Sequence, residues 1–264
     1  MQTIFQRERL IISGCLAAIV ILAWLYLFHT KTAMPGMDMS GMDMQSMDMP
    51  GMVMPELSQW GASTVLVLFV MWTVMMVAMM VPSAAPMILA FLTVNQRRQA
   101  AARPFVPVSI FLLGYLAVWT AFSALATAAE WWLHRAALLS PSMVATSSLL
   151  NGGLLIATGV FQWTPLKHSC LKNCRSPLSF LMSEWREGSA GAFLMGLRHG
   201  AYCLGCCWAL MALLFVAGVM NLLWVALIAL FVLAEKVLPK GELIAKIAGV
   251  ALVATGAALI THLW

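Results

Sequence analysis

Apolar runs long enough to cross a bilayer recur along this 264-residue chain, and they leave little choice of fold. Seven can be read: residues 10–28, 63–81 with a continuation to 94, 106–129, 143–161, 192–220, 222–238 and 244–263. Each is near the roughly twenty residues that span a hydrocarbon core as a helix. The runs are continuous rather than alternating, which favours helices over strands. With 62% hydrophobic and 9% charged residues, the composition is that of a membrane protein rather than a soluble domain. The expected fold is all-α, a polytopic membrane helical bundle of about seven transmembrane helices. Residues 1–29 read as an N-terminal anchor, 30–61 as an exposed arm and 62–264 as a six-helix membrane domain. The first run follows Arg7-Glu8-Arg9, is longer than a typical signal core and has no small-x-small cleavage site close behind it. It therefore reads as an uncleaved anchor.

The net charge of +5 belongs to this membrane setting and does not suggest nucleic acid as a partner. With a cytoplasmic N-terminus, the inner loops receive Arg7, Arg9, Arg97, Arg98, Arg103, Lys167, Lys172, Arg175, Arg186, Lys236, Lys240 and Lys246. The outside receives only Lys31 and Arg135. By the positive-inside rule the arm faces outward. A bacterial inner membrane, with the arm in the periplasm, is the simplest setting.

The arm holds nine methionines between Met34 and Met54, in a repeat of about five residues. Met37 and Met39, Met42 and Met44, Met47 and Met49, and Met52 and Met54 form four Met-x-Met pairs in register. Without aromatic residues, and with Val53 as the sole branched aliphatic, this stretch cannot build a core. Exposed thioethers are hard to justify by packing but suit a soft ion, Cu(I) above all, with silver possible by the same chemistry. The choice of sulfur also fits the compartment. An oxidising periplasm converts exposed thiols to disulfides, whereas cytosolic cysteines stay reduced.

A second set of soft donors lies within the apolar runs. In the fifth, Met195, His199, Cys203 and Cys206 fall on one helical stripe, with Cys207 at its edge. Gly196, Gly200 and Gly205 would let a neighbouring helix approach closely. One cysteine in an apolar helix is an ordinary small hydrophobe, as Cys15 is read here. Three within five residues, a turn beyond a histidine, point to metal or redox chemistry. In the second run Met75 and Met79, with Met80 beside them, supply thioethers, although such a stripe also suits plain packing. That run is too long for one straight crossing, and a break is expected at Pro82 or Pro86. Between the fourth and fifth runs, His168, Cys170 and Cys174 form an inner-loop group whose flanking Lys167, Lys172 and Arg175 should favour thiolates. Three ligands suit an exchange site better than a closed zinc site.

The stretch from Met75 to Pro86, the loop from Lys167 to Pro177, and the run from Gly196 through Cys203, Cys206, Cys207 and Trp208 to Met211 resemble the bacterial predicted metal-binding integral membrane proteins, a family defined as a domain of unknown function. The resemblance also takes in Gly218 to Asn221 and Glu235-Lys236, and covers residues 63–263. It implies a metal-binding membrane domain, to which the first helix and the Met-rich arm look like an addition.

The expected function is non-enzymatic copper handling. The arm captures Cu(I), which passes to a site formed by Met75, Met79, Met80, His199, Cys203, Cys206 and Cys207. It then moves to Cys170 and Cys174, or to a copper chaperone of either compartment or a copper-dependent membrane enzyme. Thioether-to-thiolate transfer runs from weaker to tighter ligands, and no Walker A motif is present to drive the reverse. The rival reading is a thiol-disulfide carrier passing reducing equivalents from Cys203, Cys206 and Cys207 to Cys170 and Cys174.

Overall fold

The computed structural model describes residues 2–33, 61–101, 104–136, 147–219 and 221–261. The eight arm methionines assigned as ligands, Met37 to Met54, lie outside these residues. Among the described residues every regular element is a helix: α1 (Gln2–Ala33), α2 (Ala62–Ala100), α3 (Val108–Arg135), α4 (Ser148–Phe161), α5 (Pro165–Arg175), α6 (Pro177–Glu184), α7 (Gly188–Ala212), α8 (Leu214–Ala217), α9 (Leu222–Val237) and α10 (Gly241–Thr261). Among the described residues five helical stretches, not seven, are long and apolar enough to cross a membrane: α1, α2, α3, α7 with α8, and α10. Of the expected fourth crossing, the described residues hold the 14-residue α4. The expected sixth, α9, has 16 residues and carries the buried charges Glu235 and Lys236 at its end.

α2 is the spine. It packs on α1, α3 and α9, while α7 lies against α3 and α5, and α4 pairs with α10. The expected break in α2 does not occur: the helix runs 39 residues straight through Pro82 and Pro86. Each proline removes one backbone donor, and the surrounding polar groups are drawn into this stretch. Ser83 Oγ donates to the Met80 carbonyl at 2.9 Å, and Tyr115 Oη of α3 reaches the same carbonyl at 3.1 Å. Neither bond replaces the donor lost to Ala78 or Pro82, the carbonyls four residues before each proline; both add polar contacts to the turn between them.

α3 and α7 approach closely because glycine lines their seam. A Cβ at Gly196 would collide with the Phe111 carbonyl of α3, and one at Gly114 with the Phe193 carbonyl of α7. Such contacts are how helices associate where no hydrophobic drive separates lipid from protein. A Cβ at Gly200 would meet Val118 and the Tyr115 carbonyl, and one at Gly205 would stand 2.7 Å from Cys170 Sγ of α5, so α7 is approached closely along its glycines, as their spacing implies.

Two lysines counted as inner-loop charges are in fact buried. Lys167 Nζ donates to Glu235 Oε1 at 2.7 Å, with both side chains 1% exposed, and also to Gln162 Oε1. This pair ties α5 to α9. Lys167→Met is therefore expected to cost about 3–5 kcal/mol, because it strands a buried carboxylate. Adding Glu235→Leu should recover most of that loss. Thermal unfolding in detergent checks both, and a single variant as stable as the wild type would show that the pair contributes nothing.

Candidate metal centre

The stripe on α7 is buried as its spacing implies. Met195, Cys203 and Cys207 are 0% exposed, Cys206 1% and His199 2%. All three thiols of α7 are free, as are those of Cys170 and Cys174. Cys206 and Cys207 donate to the Cys203 carbonyl at 3.0 and 2.9 Å, the local back-bonding open to a side chain three or four residues on. Cys207 Sγ lies 3.9 Å from Met80 Sδ of α2. One thioether of the second apolar run thus touches the thiols of the fifth. Met75 and Met79 are buried on the same helix, at 1% each.

Cys203 is the hub. Its sulfur is 2.9 Å from Lys236 Nζ of α9 and 3.1 Å from Tyr115 Oη of α3. Lys236 in turn donates to Ser83 Oγ of α2 at 2.9 Å. Three helices, α3, α7 and α9, therefore meet at one sulfur, and α2 joins them through Ser83. Lys236 is the missed residue of greatest consequence. Its signal was present, since an ionisable residue at the end of an apolar run is a functional candidate by default. Tyr115 and Ser83 carried no such signal.

Cys170 and Cys174 do not form a separate loop site. They sit on α5, which packs against α7, and the buried Cys174 thiol is within hydrogen-bonding reach of both Cys203 and Cys206. Cys170 is half-buried against Gly205. The flanking lysines do not hold these thiols as thiolates. Hydrogen bonding to Cys203 and Cys206, together with burial, pushes the Cys174 thiol well up, and burial pushes Cys170 up. Lys167 is spent on Glu235, which explains part of the failure. His168 turns away as well, with Nδ1 at 3.8 Å from Glu242 Oε2 of α10.

His199 is boxed by rings. Phe180, Tyr115 and Phe111 stand 5.6, 5.7 and 6.1 Å away between centroids, and its Nδ1 has no hydrogen-bond partner among the described residues. It borders the thiols without a hydrogen bond to them. Among the described residues, no three His, Cys, Asp or Glu side chains stand in a ready coordination geometry. What the fold assembles is a buried cluster of thiols, Cys174, Cys203, Cys206 and Cys207, with a thioether and an ammonium at its edge. Its chemistry is soft-donor, suited to a thiophilic ion rather than to a hard cation.

No curated protein and no solved structure matches the chain significantly. A family model described as a copper chaperone, PpoB2, matches residues 69–259, from α2 through α10, and the chain belongs to this copper chaperone family.

Proposed function

We propose that the chain is a membrane carrier of Cu(I), not an enzyme, which takes the ion from the periplasmic side into the buried thiol pocket and hands it to a copper-requiring partner. The single observation that carries this reading is the convergence of Cys174, Cys203 and Cys206 beside Met80 and Cys207, within a chain of a copper chaperone family. Thioethers of the arm and of α2 hold Cu(I) loosely, and the thiols hold it more tightly, so inward loading is downhill. The family favours copper over the thiol-disulfide carrier. Placement in a bacterial inner membrane with the arm outside is inferred from the Lys/Arg asymmetry of the sequence without the buried Lys167 and Lys236, and the Arg98–Glu187 ion pair supports it by keeping the end of α2 and the start of α7 on one side.

Full-length protein loaded in detergent against a competing chelator should retain Cu(I), accept Ag(I) and decline Zn²⁺. Deleting residues 34–54 should leave the tightly held copper and slow its loading, because a flexible repeat contributes mainly local concentration. Zn²⁺ held tightly with no Cu(I) retained would refute the reading.

A further inference from the structure

Two contacts fix the register in which α2 faces α7. Cys207 Sγ lies 3.9 Å from Met80 Sδ, and the Trp72 and Phe215 rings stand 5.4 Å apart between centroids. From the first contact to the second, α2 steps back from 80 to 72 while the α7–α8 stretch steps forward from 207 to 215, so the two run antiparallel. Leu213, between α7 and α8, is itself helical (φ −64°, ψ −17°), so that side of the interval is continuous. At the midpoint stand Met76 on α2 and Met211 on α7. Each is four residues from both contacts and shares their face. Both are 0% exposed, as is Met80. The register therefore sets these two thioethers opposite one another, about 6 Å along the axis from the Met80–Cys207 contact.

The far end of the interval carries an acid. Trp72 Nε1 donates to Glu130 Oε2 of α3 at 2.7 Å. Glu130 is 1% exposed, and its Oε1 has no partner among the described residues. An ionisable side chain inside an apolar span marks an ion pathway by default, and an open carboxylate oxygen favours a cation. This end is also the one nearer the Met-rich arm, which precedes α2 in sequence.

We propose that Met76 and Met211, with Met80, form a second Cu(I) site, a thioether station through which the ion reaches the thiol cluster. The proposal rests on the Cu(I) reading of the cluster and adds two residues outside it. Thioethers select a soft ion. They carry neither charge nor proton, so the ion passes by ligand exchange, one S–Cu bond forming as another breaks. Copper stays Cu(I), and no electron or proton is displaced at this stretch. Weak binding suits a station. It spares the ion the large cost of crossing an apolar interior without ligands, and it does not compete with the thiols.

The test is stopped-flow loading of the full-length protein in detergent with a Cu(I) complex, followed by Cu(I)–thiolate absorption. Met76→Leu with Met211→Leu is a swap that cores tolerate, but it removes both donors. This variant should reach the wild-type copper content at least about ten-fold more slowly, which corresponds to about 1.4 kcal/mol of lost coordination. Met211→Cys keeps a soft donor and should load faster than Met211→Leu. A packing role predicts the reverse, because leucine fills the space and cysteine leaves a cavity. Met71→Leu, 3% exposed on the opposite face of α2, should load at the wild-type rate. Wild-type kinetics in the double leucine variant would overturn the proposal while leaving the copper reading intact. So would Met211→Leu loading faster than Met211→Cys, or equal slowing in Met71→Leu. A wild-type protein that takes up no Cu(I) would instead overturn the copper reading itself.

Discussion

Serine at both Cys203 and Cys206 is expected to abolish tightly held copper in the full-length protein. The two sulfurs are fully buried on adjacent turns of α7, and the buried Cys174 thiol of α5 borders both. Removing them leaves Cys174 and Cys207 without the two sulfurs that each of them borders. A hydroxyl is a hard ligand and does not replace a thiolate for Cu(I). Serine is close to cysteine in volume, so the α3–α7 seam set by Gly114 and Gly196 should stand. Cys174→Ser alone should give a partial loss, because it removes a sulfur from outside the α7 pair. Copper content after dialysis against a chelator, with circular dichroism to verify folding, checks both. A folded double variant that retains copper at the wild-type level would show these cysteines to be packing residues.

What could be read from the sequence follows physical range. The helical class, the burial of Met195, His199, Cys203 and Cys206 on one stripe and the close approach at Gly196, Gly200 and Gly205 are local consequences of helical periodicity and small side chains. The errors arose where a partner from elsewhere in the chain decides the outcome. Pro82 and Pro86 announce a break by themselves, but α2 continues, with Tyr115 of α3 drawn in to the Met80 carbonyl beside them. Cys170 and Cys174 look like a loop because lysines flank them. Yet Lys167 turns inward to Glu235, 68 residues away, and α5 docks the cysteines onto α7. Lys236 looked like an orientation charge at the end of an apolar run, and its place against Cys203, 33 residues away, follows from helix packing alone. Among the described residues five spans stand where seven apolar runs were read. Hydropathy measures composition, whereas α9 stops after 16 residues, just past the buried Glu235 and Lys236.

Lys236→Met is expected to reverse the metal preference of the pocket. Two thiolates and one Cu(I) carry a net charge of −1. The Lys236 ammonium, 2.9 Å from Cys203 Sγ, cancels it, so the loaded pocket is neutral. A divalent ion on the same two thiolates would leave a net charge of +1 in the interior, where uncompensated charge is strongly disfavoured. With methionine at 236 the balance inverts: Cu(I) leaves the pocket at −1, and Zn²⁺ or Cd²⁺ leaves it neutral. Glu235 does not alter the count, because it is paired with Lys167. The interaction lost is about 4 kcal/mol for unit charges some 4 Å apart at an effective dielectric near 20, or about a thousand-fold in Cu(I) affinity. Methionine fills the space of the lysine stem, and Ser83 Oγ keeps its bond to the Met80 carbonyl, so the fold is expected to survive. Lys236→Arg preserves the charge and should hold the Cu(I) preference, although its larger head will not reproduce the bond to Ser83. Competition of Cu(I) against Cd²⁺ in the wild type and both variants decides the matter. An unchanged Cu(I)-to-Cd²⁺ ratio in Lys236→Met would mean that charge balance does not set selectivity, and that sulfur softness alone does.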